Sequence, residues 1–254
     1  MKRFIFILFF ISFFSTIRAQ TETIHVFVAL CDNINQGIVL VPHSLGNGQD
    51  PRSNLYWGAA YGIKSFFKNK AKDWELVKTL QAENSNILES VLFKHKTKDV
   101  YMIADAYDGK KIKNCIEDFL LASNSQNTKK IAIDKEELCF GGDANLVAYI
   151  GHDGLMEFDV DVSYKNESEN KKDAIILACY SKDFFKSELL KSNAKPLLWT
   201  THLMAPEAYT LKAAIDGWLN RESDLEIEER AAQAYNNYQK CGIKGARNLF
   251  TTGF

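Results

Sequence analysis

The sequence predicts an α/β fold built on a mainly parallel central sheet flanked by helices. Three observations carry this reading. Residues 146–150 (LVAYI) and 174–178 (AIILA) are short unbroken apolar runs bounded by polar residues and glycine, the pattern of strands buried on both faces. Segments with helical apolar spacing alternate with such runs. The stretch between the two runs exceeds the dozen or so residues that a parallel crossover needs.

Taken in order, residues 24–30 (IHVFVAL) form the first buried strand, which gives way at Cys31-Asp32-Asn33. Residues 42–54 (PHSLGNGQDPRSN) concentrate the residues that punctuate chains and predict a long loop. Residues 55–67, with Trp57 and Tyr61, have helical spacing, and Asn54 is the expected N-cap. Residues 74–80 fit strand or helix equally. Two strands follow at 87–96 and 99–107, turning at Thr97-Lys98; the second closes on Asp108-Gly109, where Asp105 and Asp108 read as turn and helix-start residues. Residues 110–121 carry the stripe Ile112, Ile116, Phe119 and Leu120 of an amphipathic helix. After a polar linker (123–130) and a short excursion (131–139), Gly141-Gly142-Asp143 introduces the run at 146–150. Residues 158–173, including NESENKK, form the solvated crossover, expected to be helical in part. Residues 195–201 (KPLLWTT) supply another strand, then helices run from Pro206 to Leu219 and from Leu225 to Tyr238, the latter ended by Cys241-Gly242. Glu207 reads as a first-turn acid facing the helix dipole.

The first nineteen residues stand apart. Lys2 and Arg3 precede an apolar run from Phe4 to Phe14, and Ile17-Arg18-Ala19-Gln20 offers a cleavage site, the pattern of a secretory signal peptide. The run is shorter than the ~20 residues a membrane helix needs, and no later stretch approaches that length. An exported protein of residues 20–254 is expected, a single domain without membrane insertion. Cleavage after Ala19 removes three basic residues and no acid, which takes the net charge from −1 to −4 and argues against nucleic acid as a partner. The five cysteines (31, 115, 139, 179 and 241) include no C-x-x-C pair, so zinc and thioredoxin-like chemistry lack support. An odd number in an oxidising compartment leaves at least one thiol free, as a nucleophile or as an inert core residue.

Two chemistry-bearing residues end the two apolar runs. His152 follows 146–150 within Gly151-His152-Asp153-Gly154, and Cys179 follows 174–178. If the strands run parallel, both emerge at the carboxyl edge, where open α/β sheets place ligands. A thiol becomes a useful nucleophile beside a group that takes its proton, and imidazole suits that task. Gly154 allows backbone N–H groups to approach a carbonyl, so its N–H and that of Cys179 are candidate oxyanion donors. His202, at the end of Thr200-Thr201, is a rival base or a pocket-lining residue; His25 reads as structural, and His43 lies in the long loop. Asp50 and Arg52 follow the first strand in a loop over the same edge and are candidate contacts for a peptide side chain. Turn and capping roles explain them equally well. A serine hydrolase of the α/β class lacks its G-x-S-x-G motif here.

Residues 146–154 (LVAYIGHDG) and 174–181 (AIILACYS) resemble the paired motifs of the caspase-like cysteine peptidases, the clan of caspases, metacaspases, legumains, gingipains and clostripain. The resemblance implies a caspase/haemoglobinase fold spanning roughly residues 24–219. It also implies His152 as general base or charge stabiliser, Cys179 as nucleophile, a peptide or protein substrate, and no metal or organic cofactor. The chain departs from the clan pattern at Asp153, which intervenes before the glycine, at Leu177, where an acid or glutamine is common, and in its short crossover. A catalytically inactive interaction module that kept the same fold is the alternative these departures favour.

Overall fold

The computed structural model describes residues 21–133, 136–165 and 171–254; the expected signal peptide lies outside them. Among the described residues there are ten strands and six α-helices. The strands are β1 (Glu22–Ala29), β2 (Trp74–Leu80), β3 (Ile87–His95), β4 (Val100–Tyr107), β5 (Lys129–Ile133), β6 (Glu136–Phe140), β7 (Leu146–Ile150), β8 (Asp173–Leu177), β9 (Lys195–Thr200) and β10 (Phe250–Thr251). The helices are α1 (Ile63–Asn69), α2 (Ile112–Ser123), α3 (Ser181–Ser192), α4 (Ala208–Leu219), α5 (Asp224–Gln239) and α6 (Ile243–Leu249).

Eight strands form one sheet in the order β10-β9-β8-β7-β1-β4-β3-β2. The central five, β9 to β4, pair in parallel; β10 and the β2–β3 hairpin add antiparallel edges. The unbroken apolar runs are explained by burial on both faces. Ile24, Val26, Val28 and Leu30 pack with Phe67, Leu211 and Trp218 on one side. Phe27, Ala29 and Tyr149 pack with Phe119 and Phe185 on the other. Each fully buried side chain of this size contributes roughly 1.5–3 kcal/mol. The stripe of α2 is buried as expected. At β9 the proline removes a donor, and the β8–β9 register shifts beside Ala174, which pairs Pro196.

Several elements differ from the sequence reading. Residues 55–62 form consecutive turns rather than helix; α1 starts only after Gly62. Asn54 is therefore no N-cap. It is wholly buried and its side chain brackets Cys31, accepting from that residue's N–H (3.1 Å) and donating to its C=O (2.8 Å). Residues 74–80, ambiguous by pattern, are an edge strand whose outward Lys78 and Glu75 suit an unpaired border. The short excursion is a separate hairpin, β5–β6. The apolar residues of α3, α6 and β10 are too few to set a period, so the sequence pattern does not reveal these elements. The crossover carries no helix or strand in its described part, and residues 166–170 lie outside it. Pro206 and Glu207 precede α4 instead of opening its first turn. Helix α5 starts on a capping box formed by Ser223 and Glu226, and it ends at Lys240 in the left-handed conformation, before Cys241-Gly242.

Asp105 is the clearest correction. It sits inside β4, not in a turn, at 1 % exposure. Its carboxylate accepts from His25 Nε2 (3.0 Å), Ser90 Oγ (2.5 Å) and Lys129 Nζ (2.8 Å). His25 Nδ1 accepts the N–H of Gly141 (3.0 Å), so the ring proton resides on Nε2. Burial holds His25 below its usual pKa despite the neighbouring carboxylate. For Asp105, burial alone would raise the pKa, but the bond to His25 and the charges of His25 and Lys129 hold it well below the carboxylate range. This network ties the β5–β6 hairpin to the sheet. Among the described residues, no helix is long and apolar enough to cross a membrane.

Candidate active site

The parallel strands follow the order β4-β1-β7-β8-β9, so chain direction across the sheet reverses between β1 and β7. In such sheets the crevice for ligands opens beyond the carboxyl ends at that reversal. Here the residues beyond β1, β7 and β8 are Cys31, His152 and Cys179. Ile150 pairs with Leu177, and His152 and Cys179 each lie two residues further on. Both line one cavity of about 380 Å³, together with Cys31, Tyr56, the loop after β1 (Gly37, Ile38, Val41) and the segment after β9 (Met204, Ala205, Pro206, Glu207). Its size is that of a small-ligand pocket.

Cys179 occupies the turn between β8 and α3. The turn requires a left-handed residue, Tyr180 (φ 50°), whose N–H donates to His202 O at 3.0 Å. Ser181 Oγ and Thr200 Oγ1 hold the carbonyls of Ile176 and Ala178 and so brace the strand end. Cys179 Sγ accepts the N–H of Met204 at 3.4 Å. Burial pushes this thiol's pKa up and the charge of Asp153 adds to it, while the Met204 N–H opposes both. Cys31 is more extreme. Burial pushes its thiol up to about 11, against a hydrogen bond from Tyr56.

His152 is held at both its backbone and its ring. Tyr149 Oη donates to its carbonyl (2.7 Å), and its Nε2 lies 2.7 Å from Glu157 Oε1. The same oxygen accepts the N–H of Gly37 at 2.7 Å, which ties the loop after β1 to the loop after β7. A Cβ at position 37 would lie 2.0 Å from Glu157 Oε1, so any larger residue there would displace this carboxylate. A carboxylate only accepts; the proton therefore sits on Nε2, and Nδ1 is the nitrogen available for exchange.

Asp153 is wholly buried beneath these residues. Its Oδ1 accepts the N–H of Leu155 (3.1 Å), and its Oδ2 has no partner among the described residues. Burial pushes the carboxyl up to about 7, and the charge of Glu157 acts in the same direction. The residue that breaks the motif is thus a buried acid whose pKa is held far above the ordinary carboxylate value.

No known protein family, curated protein or solved structure matches the chain. The remaining sequence-derived candidates fall out as follows. Gly154 donates its N–H to His152 O (3.1 Å) and does not line the cavity, so it is not placed as an oxyanion donor. The N–H groups of Asp153 and Cys179 have no hydrogen-bond partner among the described residues. Asp50 and Arg52 pair with each other (2.9 Å) outside the cavity, and the arginine side chain is 87 % exposed. His202 is exposed beside the cavity; its Nδ1 lies 2.8 Å from Thr201 Oγ1 and its ring 6.0 Å from Tyr180. His43 is exposed and lines nothing here. Cys31, Gly37, Glu157, Met204 and Glu207 were not singled out for the site. The position of Cys31 at the end of the first buried strand was the one usable signal for any of them.

Proposed function

We propose that the chain is an exported caspase-like cysteine endopeptidase. The observation that carries this is that Cys179 and His152 line one cavity at the sheet's reversal point, with Glu157 bonded to the imidazole. Cys179 passes its proton to His152 Nδ1 as Sγ bonds to the scissile carbonyl carbon. The resulting oxyanion is received by the N–H of Cys179; one such donor is typically worth about 10²–10³ in rate. The C–N bond then breaks, and His152 returns the proton to the leaving amine. Water, deprotonated by the same ring, hydrolyses the thioester and restores the thiol. These steps use only the chain's own residues.

Cleavage of an unstructured protein such as casein tests the proposal. Wild type should release peptides, and Cys179→Ala should release none while melting at a similar temperature. Equal cleavage by the two proteins would end the mechanism. The second reading, an inactive module, is favoured by one observation: burial and Asp153 both push the Cys179 thiol away from its reactive form. A Cys179 left unlabelled by a peptidyl acyloxymethyl ketone across pH 6–9 would select that reading.

A further inference from the structure

The cavity beside Cys179 has walls that discriminate by charge. Ile38, Val41, Leu55, Met204, Ala205 and Pro206 give it a mostly apolar lining. Among the described residues, no lysine or arginine lines it, and its one carboxylate is Glu207. An acidic side chain would therefore be desolvated there without a counter-charge. The carboxylate of Glu207 is itself fixed: Tyr209 Oη (2.7 Å) and Gln239 Nε2 (2.9 Å) both donate to Oε2, and no described residue bonds Oε1. Glu207 also stands directly before the first turn of α4. Cys179 and Glu207 line the same cavity, and Met204, whose N–H bonds Cys179 Sγ at 3.4 Å, belongs to the same segment as Glu207.

We propose that this cavity receives a lysine or arginine side chain on the acyl side of the cleaved bond, its methylenes against the apolar walls and its cation on Glu207. The inference rests on the peptidase reading and specifies its substrate class. Long basic side chains suit such a pocket because an apolar stem and a charged head separate along their length. A neutral side chain of the same length would leave the Glu207 carboxylate without a counter-charge.

Fluorogenic peptides that differ only in arginine or citrulline, its uncharged isostere, read the charge directly. Wild type should cleave the arginine peptide at least tenfold faster in kcat/KM and leave an aspartate peptide uncut. Glu207→Gln should bring the arginine-to-citrulline ratio to within about threefold. Equal rates for the two peptides, or a ratio preserved in Glu207→Gln, would overturn the assignment. If wild type cleaves no peptide, the peptidase reading fails on its own, and binding decides the charge question. Calorimetry on Cys179→Ala with the same two peptides should then show tighter arginine binding, lost in the Cys179→Ala, Glu207→Gln double variant. Equal binding of the two peptides would overturn the assignment in that case too.

Discussion

Ile150 faces Leu177 across the parallel β7–β8 ladder, and His152 and Cys179 stand two residues beyond them on adjacent strands. Equal offsets from a shared register bring two residues distant in sequence to the same rim. Parallel pairing is what makes this possible, because both strands then present their carboxyl ends to one edge.

Asp153→Asn tests the buried acid under that rim. A carboxyl whose folded pKa is raised from 3.8 to about 7 leaves stability intact below about pH 4 and withdraws it as pH rises through 7. The full effect is about 4 kcal/mol. Wild type should therefore melt lower at pH 8 than at pH 5 by more than the variant does. A melting profile of the same slope in both proteins would show that Asp153 does not titrate as its burial requires.

The bridge from Gly37 through Glu157 to His152 predicts that two different substitutions have one effect. Glu157→Gln weakens the hold on Nε2, and Gly37→Ala forces the Glu157 carboxylate aside. Each should lower kcat about tenfold to a hundredfold, within the range of acid–base effects, with little change in KM. The double variant should be hardly worse than either single one, since both break the same unit. Fully additive losses would show that Gly37 and Glu157 act separately.

Thiol reactivity should follow exposure and burial. Cys241 is exposed, Cys179 is half-buried, and Cys31 and Cys115 are buried with their thiols pushed up, that of Cys31 to about 11. At pH 7.5 iodoacetamide should modify Cys241 first, then Cys179 at a rate that rises with pH. Cys31 and Cys115 should react only after unfolding. Peptide mass mapping over a time course reads this order, and early modification of Cys31 would contradict it.

Asp105→Ala removes the centre of the network under the β5–β6 hairpin and leaves Lys129 facing His25 and Ser90 without a carboxylate. Breaking a buried ion pair on one side costs about 3–5 kcal/mol, to be measured by denaturant unfolding. Because Asp105 titrates below its usual range, its contribution is present above about pH 4 and is lost as pH falls through the depressed value. Acid unfolding of wild type should be steeper than that of the variant. A loss below 1 kcal/mol would mean that the hairpin is held by other contacts.

Much of the sheet was legible because hydrophobic period is a local property. The runs that became β1, β7 and β8 needed no partner to be recognised, and the residues after them carried the chemistry. The pattern misled at residues 55–62, where helical spacing coexists with Gly58 and Gly62 and the chain turns instead. It was silent on α3, whose buried face consists of little more than Phe185 and Leu189.

By itself the sequence determined an α/β chain whose histidine and cysteine close consecutive buried strands, since burial on both faces and chain connectivity leave few alternatives. Only the tertiary structure decided that Glu157 grips the histidine, that Gly154 turns its N–H away from the cavity, and that Glu207 charges the cavity wall. Those relationships depend on where loops from distant strands meet, and hydrogen-bond geometry between such loops leaves no period in the chain to be read.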